Sequence, residues 1–275
     1  MAISRLGVWD HAGWAGFRDP EVLAELERLG YGTVWLGGSP PADLSTTEPT
    51  LAASTSLVVA TGIVNVWEAE PAAAGSAYQR VAAAYPDRFL LGIGVGHRPL
   101  VGDRYTKPYD KLVSYLDGLD EAGVPVSNRV LAALGPKVLG LARDRTAGAH
   151  PYFTTPEHTA QAREIVGEGK LVVPEQKVVL ATDPVEARAL ARKALNFYLS
   201  LPNYTNNWLR LGFSESDLAD GGSDRLVDAL ITWGDEDTIR ERVEAHLAAG
   251  ADQVALQVLN EDKLSVLRSL APALV

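Results

Sequence analysis

The sequence contains no cysteine among its 275 residues. This absence excludes disulfide bonds, thiolate metal sites and a cysteine nucleophile together. Basic residues are also few: 25 lysines and arginines stand against 35 aspartates and glutamates, a formal net charge of -10 at pH 7. Such a chain lacks the basic footprint of proteins that bind nucleic acid or anionic membranes. We therefore expect neither partner, and any anionic ligand must be held by local groups.

Long apolar runs and low-complexity segments are missing as well. The N-terminus, MAISRLGVWDHAGW, has no apolar stretch typical of a secretion signal, and no run elsewhere reaches the roughly 18 residues of a membrane span. The 25 glycines and 16 prolines are scattered at the ends of predicted elements and form no linker. The sequence thus predicts a cytoplasmic protein with one domain over residues 1–275.

Apolar runs that predict strands alternate with helical patterns along the chain. The eight candidate strands are residues 5–9, 31–37, 57–64, 88–94, 129–134, 148–153, 177–182 and 252–259. This alternation predicts an α/β fold, a (β/α)₈ TIM barrel, with a doubly wound open sheet as the alternative. The irregular, asparagine-rich segment 199–222 predicts an inserted loop region with short helices after strand seven.

Three glycines at alternate positions end the fourth predicted strand, in FLLGIGVGHRPL (89–100). Their spacing is not the G-x-G-x-x-G that opens a helix in dinucleotide-binding folds. Chemistry in a barrel lies at the C-terminal ends of the strands, so Gly94 and Gly96 would let the backbone approach a flat ligand, with His97 at the rim. The alternative is a tight turn whose glycines serve only packing.

Three stretches of the chain resemble the luciferase-like monooxygenase superfamily: ATGIVNVWEAEP and the residues after it up to GIGVG (60–96), LAALGPKVLGLA (131–142) and AGADQVALQVL (249–259). Within that superfamily the resemblance is to the coenzyme F420-dependent oxidoreductases. It implies a bacterial-luciferase-like barrel that transfers a hydride between the deazaflavin coenzyme F420 and a small organic substrate. An FMN-dependent monooxygenase and a non-catalytic cofactor-binding barrel are the alternatives. The resemblance also implies a homodimer, with residues 51–56 as a contact.

The resemblance implies that residues at the end of the third strand hold the cofactor ring. These are Gly62, Ile63, Val64 and Asn65, which would form a bulge with a non-proline cis peptide against which the deazaflavin leans. An ordinary β-bulge at Gly62 is the alternative.

After the fifth strand, the resemblance implies a cradle for the cofactor phosphate. Its residues are Leu134, Gly135, Pro136, Lys137 and Val138. Proline suits the first turn of a helix, and the backbone amides there would point at an anion. A plain turn with Lys137 in solvent is the alternative.

His97 is the predicted general acid or base, and it also counts among the cofactor-binding residues. Hydride delivery to a double bond leaves an anion that needs a proton, which histidine can supply at neutral pH. F420-dependent relatives often have a glutamate at this point, and a role in binding alone is the alternative. His11 and Asp10, at the end of strand one, are the next candidates.

No metal site is predicted, because the histidine spacings match no ligand motif. A basic cluster for a sugar phosphate is not evident in the inserted segment.

Overall fold

The structure is a computed structural model that describes residues 3–275. Its strands, β1 to β11 in chain order, are Leu6–His11, Thr33–Gly37, Val58–Thr61, Val64–Asn65, Phe89–Gly94, Arg129–Leu131, Gly148–Ala149, Leu171–Val172, Glu175–Leu180, Ile231–Gly234 and Val254–Val258. Its helices, α1 to α13, are Pro20–Arg28, Thr47–Ala53, Pro71–Ala84, Arg98–Val101, Pro108–Glu121, Pro136–Arg145, Pro156–Val166, Pro184–Tyr198, Pro202–Arg210, Glu215–Leu218, Asp224–Leu230, Glu236–Ala248 and Lys263–Leu274.

The parallel strands close into a barrel. β1 pairs with β2 on one edge and with β11 on the other, and pairing continues from β2 through β3, β5, β6 and β7 to β8. β8 and β9 are two parts of one extended run: Val173 N–H donates to the Ala149 carbonyl, and Ala255 N–H donates to the Pro174 carbonyl. This run joins β7 to β11, so the alternative of an open sheet is wrong and the predicted TIM barrel is confirmed.

All eight predicted strands are present, with ends shifted by a few residues. The inserted segment after the seventh predicted strand folds into α9 and α10, and α11 leads from it into the extra strand β10 beside β9. Continuous apolar runs form strands buried on both faces: all five residues of β2 are buried. Helices cover the outside, and Trp35, stacked on His150 at 4.0 Å between ring centroids, helps to fill the inside. No helix within residues 3–275 is long and apolar enough to cross a membrane.

The chain bulges between β3 and β4. Gly62 N–H donates to the Leu36 carbonyl at 2.7 Å, and the Thr61 hydroxyl bonds both the amide and the carbonyl of Gly92, at 2.8 and 3.0 Å. The Thr61 side chain thus replaces the strand ladder at this point. Every peptide bond in the described residues is trans. The predicted cis peptide is therefore wrong, and the structure has the β-bulge that was the alternative.

Candidate active site

A cavity of about 770 Å³ opens at the C-terminal ends of the barrel strands. Strand ends supply one side of its lining, from His11 and Gly37 to Gly94. The opposite side comes from α8 and α9, which carry Phe197 and Tyr204. The cavity has the size of a site for a cofactor and a small substrate.

Glycines make one wall of this cavity bare backbone. A Cβ on Gly94 would lie 2.6 Å from Ile63 Cγ2, and a Cβ on Gly96, whose φ is +59°, would lie 2.7 Å from Asn65 Nδ2. A side chain at either position would collide with the bulge. The packing interpretation of the glycine pattern is therefore confirmed. Gly94 and Gly96 also line the cavity, and the close approach of a flat ligand stays a prediction.

The predicted phosphate cradle opens onto the same cavity. Gly135 is the N-cap of α6, and Leu134, Gly135, Lys137 and Val138 line the cavity. The Val138 amide bonds the Gly135 carbonyl and Pro136 has no N–H, which leaves the Gly135 and Lys137 amides for an anion. His158 Nε2 lies 2.8 Å from the Leu134 carbonyl oxygen, and this contact holds the loop in place.

Three basic side chains line the cavity. Lys137 lies on α6, Lys193 on α8 and Arg210 on α9, and all three are exposed. An Arg210 guanidinium nitrogen would be 3.8 Å from a Cβ on Gly135. No basic cluster was evident in the inserted segment from the sequence, but the fold brings Arg210 from that segment to the cradle. We call these three residues the basic mouth.

His97 follows β5 and lies half-buried in the cavity wall. Its ring is 5.5 Å from Tyr204 and 6.4 Å from Phe197 between centroids. Burial lowers the pKa of His97, and a hydrogen bond with the Asn203 side chain partly opposes that. Nδ1 is buried and has no hydrogen-bond partner among the described residues. At neutral pH the ring is therefore neutral, and one of its nitrogens lacks a hydrogen-bond partner in the described residues.

The structure separates the two other catalytic candidates. His11 lines the cavity, and loss of water around its ring lowers its pKa against the opposing charge of Asp10. Asp10 does not line the cavity: it is buried, binds the Lys263 ammonium and accepts the amide of His11 at 2.7 Å. Its carboxylate is thus committed to an ion pair and positions the strand end.

Three of the predicted cofactor residues also lie outside the cavity lining. Val64 is fully buried, since β4 pairs with β5 and its side chain packs into the core. Asn65 is buried, and its side-chain oxygen Oδ1 accepts the Trp67 amide at 3.2 Å. Pro136 is exposed on the first turn of α6. Gly62 and Ile63 do reach the cavity.

Comparison with known proteins identifies the barrel type. Residues 3–123 match the model of the luciferase-like monooxygenase family. This part of the chain is therefore similar to that family. The match confirms the resemblance predicted from the sequence and supports an enzyme. No curated protein sequence matches the chain.

Solved structures with the same fold include enzymes of both cofactor types. An F420-dependent secondary alcohol dehydrogenase with an F420-acetone adduct has a TM-score of 0.76 at 14% identity, with 99% of each chain covered. The coenzyme F420-dependent tetrahydromethanopterin reductase of Methanopyrus kandleri gives 0.73 at 14%, with 98% of each covered. The FMN-bound oxygenating constituent of 3,6-diketocamphane monooxygenase of Pseudomonas putida gives 0.66 at 15%, with 99% of each covered. At these identities the likeness shows the fold alone.

The deep end of this cavity contains residues that were not among the predicted site residues. We call it the cavity floor; it consists of Trp9, His150, Tyr152, Lys177 and Gln257. Trp9 Nε1 and His150 Nε2 are buried without a hydrogen-bond partner in the described part of the chain. The pattern EQK at the start of β9 was the available signal, because two charged residues at alternate positions of a buried strand face the same side.

Proposed function

We propose that this protein transfers a hydride between the deazaflavin coenzyme F420 and a small organic substrate. The observation that carries the proposal is one continuous cavity in which the glycine wall and bulge lead to a helix N-terminus with the basic mouth beside it. A flat ring with an anionic tail matches that order of surfaces along the cavity.

The cavity residues fit the ring of such a cofactor. Backbone at Gly62 and Ile63 gives the ring a surface on one side, and glycine leaves room for close approach. Trp9, His97 and His150 line the cavity, and each has a buried ring nitrogen without a hydrogen-bond partner among the described residues. A heterocycle offers carbonyl oxygens and ring nitrogens as partners. Buried polar groups normally have partners, so these three atoms support a polar ligand.

The part of the cavity that would hold the cofactor tail favours F420 over FMN. FMN ends in one phosphate, whereas the tail of F420 continues beyond its phosphate with carboxylates. One helix N-terminus suffices for a phosphate, but Lys137, Lys193 and Arg210 offer three further positive charges at the exposed end. In a chain of net charge -10, such a local cluster is the means of holding a polyanion.

The cofactor supplies the hydride chemistry, and the protein binds, orients and excludes water. The half-buried, neutral His97 contacts the ligand from the wall, while Phe197 and Tyr204 of α8 and α9 cover the reacting region. Exclusion of water strengthens the electrostatic interactions at the site and prevents side reactions.

Equilibrium titrations with F420 and FMN side by side test the proposal. We expect F420 to bind at least tenfold more tightly than FMN, and the difference to shrink as salt is added, because it comes from charges at the surface. Equal affinities, or tighter binding of FMN, would contradict the assignment of F420. Failure to bind either molecule would contradict an enzyme of this type and would leave a barrel without its cofactor.

A further inference from the structure

An ion pair occupies the interior of the barrel, among apolar and aromatic neighbours. Glu175 and Lys177 are 0% and 1% exposed, and Lys177 Nζ lies 3.1 Å from each carboxylate oxygen. The carboxylate also accepts the Phe153 amide at 3.1 Å. Removing two charges from water costs several kcal/mol per ion, and apolar side chains would fill the same space at lower cost. Packing alone therefore does not account for the pair.

Lys177 faces the cavity, whereas Glu175 lies behind it. Nζ lies 3.8 Å from the ring centroids of both Tyr152 and Phe153, which hold the ammonium in place. An ammonium group has three N–H donors, and the two oxygens of Glu175 engage two of them. The third has no hydrogen-bond acceptor among the described residues, and Lys177 contributes to the cavity lining.

Among the charged and titratable groups of the cavity floor, Lys177 is the one that can donate a proton at neutral pH. Burial lowers the pKa of Lys177 to about 8, against the opposing charge of Glu175, so the amine is protonated at neutral pH and releases a proton readily. Burial raises the pKa of Glu175, of Tyr152 and of Tyr204, and raises that of Tyr198 to about 12.

Two histidines remain. Burial lowers the pKa of His150, on the cavity floor, to about 4. The pKa of His11 is lowered by loss of water and further by the charge of Lys177, against the opposing charge of Asp10. His11 is therefore neutral at pH 7, and the tyrosine hydroxyls keep their protons across the neutral range. Tyr152 bridges the Tyr198 hydroxyl and Gln257 Oε1, each at 3.0 Å, so its own hydroxyl is occupied.

We propose that Lys177 is a catalytic residue whose ammonium contacts the oxygen of a small carbonyl substrate and gives it a proton. This rests on the proposed hydride transfer. The new C–H bond forms at the carbonyl carbon with the hydride, two electrons included, that reduced deazaflavin supplies. The π electron pair of the C=O bond moves to oxygen, which takes a proton from Nζ. The products are an alcohol, oxidised deazaflavin and a neutral amine, and water returns the proton to the amine.

The same site defines the class of substrate. Aromatic side chains surround the position beside Lys177, with Tyr198 4.9 Å from Tyr204 and 5.6 Å from Tyr152 between ring centroids. A carbonyl group attached to an apolar or aromatic body places its oxygen at the ammonium and its body against these rings. In the reverse direction the neutral amine takes the hydroxyl proton of the corresponding alcohol.

Ionisation of 4-nitrophenol tests the contact with oxygen without any cofactor. Its phenolate is coloured, its ring is aromatic, and its charged oxygen resembles the developing alkoxide. In the full-length protein at pH 6, we expect the ratio of phenolate to phenol to be at least tenfold higher when the probe is bound than when it is free. Lys177→Met should abolish this increase, and Lys177→Arg should keep it because arginine retains the charge. An increase that persists in Lys177→Met would overturn the proposal.

Matched variants separate this effect from damage to the fold. Lys170→Met removes an ammonium that binds the Thr146 carbonyl, away from the cavity lining, and should leave the probe unaffected. If Lys177→Met does not fold, the double variant Glu175→Gln with Lys177→Met removes both charges and keeps the pair neutral. The expected result for the double variant is the same loss of the probe effect, and retention of the effect would overturn the proposal.

Turnover separates failure of this inference from failure of the proposed function. With F420 bound, carbonyl reduction by the wild type should fall as pH rises through about 8, where Lys177 loses its proton. Lys177→Arg should bind F420 normally but turn over about 10² to 10⁴ times more slowly. Normal F420 binding with unchanged turnover in Lys177→Arg would overturn the catalytic role and leave the proposed function intact. Failure to bind F420 would instead remove the proposed function and the catalytic role that rests on it.

Discussion

Gly135 is the residue at which the phosphate cradle can be tested with little risk to the fold. Its φ is -88°, which any residue adopts, and a Cβ there would meet only an Arg210 guanidinium nitrogen, at 3.8 Å. Gly135→Val should therefore fold normally but place a branched side chain in the path of the anion. We expect F420 affinity to fall at least tenfold, about 1.4 kcal/mol, in a binding titration.

Gly140→Val is the matched control for that variant. It lies on the same helix, α6, and a Cβ there meets nothing within 4 Å. Cofactor affinity should be unchanged in this control. Equal affinity in Gly135→Val and wild type would place the phosphate elsewhere.

His97 can be tested as a binding residue or as an acid. Because burial lowers its pKa below the ordinary value of histidine, the ring is neutral at pH 7, which favours binding. His97→Ala should weaken F420 binding by about tenfold, roughly one lost hydrogen bond, and the fall of turnover above pH 8 should remain. Turnover that drops 10² times or more with unchanged cofactor affinity would instead make His97 the acid.

Sequence reasoning found the site residues that a local pattern marks and missed those that only the fold brings together. The glycines of β5 and the turn before α6 were visible because each carries its own signal: Gly94 ends a strand, and Gly135 precedes a proline. Arg210 and Lys193 carry no such local signal, because Lys137, with which they line the cavity, lies more than fifty residues earlier in the chain. Asp10 was misplaced because the sequence does not show that Lys263 reaches it.

At the scale of elements, the bulge between β3 and β4 depends on Gly92. A Cβ on this residue would lie 1.8 Å from the Thr61 carbonyl oxygen, so Gly92→Ala must displace one strand from the other. We expect thermal unfolding to show a loss of about 1 to 3 kcal/mol, as for other overpacked cores. Gly140→Ala, in open space within α6, should stabilise the protein by up to about 1 kcal/mol. The same effect from both substitutions would contradict this account of the bulge.

Helix α1 is tied to the start of β3 by Glu27. Burial alone would raise the pKa of Glu27, but hydrogen bonds from the Ser56 amide, the Thr55 hydroxyl and nearby amides lower it to about 2. Because the folded pKa lies below the unfolded one, the carboxylate stabilises the fold above about pH 4.5, and the contribution is lost as pH falls toward 2.

Glu27→Gln should remove this pH dependence. In denaturant titrations we expect the variant to be less stable than wild type at pH 7, by about 1 kcal/mol. The two proteins should converge near pH 2. A difference that is constant across this pH range would show that charge at Glu27 contributes nothing.

At the scale of the whole molecule, helix caps and apolar runs were sufficient to predict the barrel, and two short strands, β8 and β10, were not predicted. β8 has two residues, and β10 follows α11 without an intervening turn, so neither has the flanking signals by which a strand is recognised. The homodimer stays a prediction, which the molar mass in light scattering can check. Leu51, in the segment expected as a contact, is fully buried in its own chain, so its apolar character is explained without a partner.

The most direct test of the account is a crystal structure of this protein with F420 bound. We expect the deazaflavin ring within about 4 Å of the backbone at Gly62 and Ile63, and the phosphate within about 3 Å of the Lys137 amide. The tail should then run past the basic mouth. A ring bound elsewhere, or a phosphate held away from the start of α6, would contradict the account.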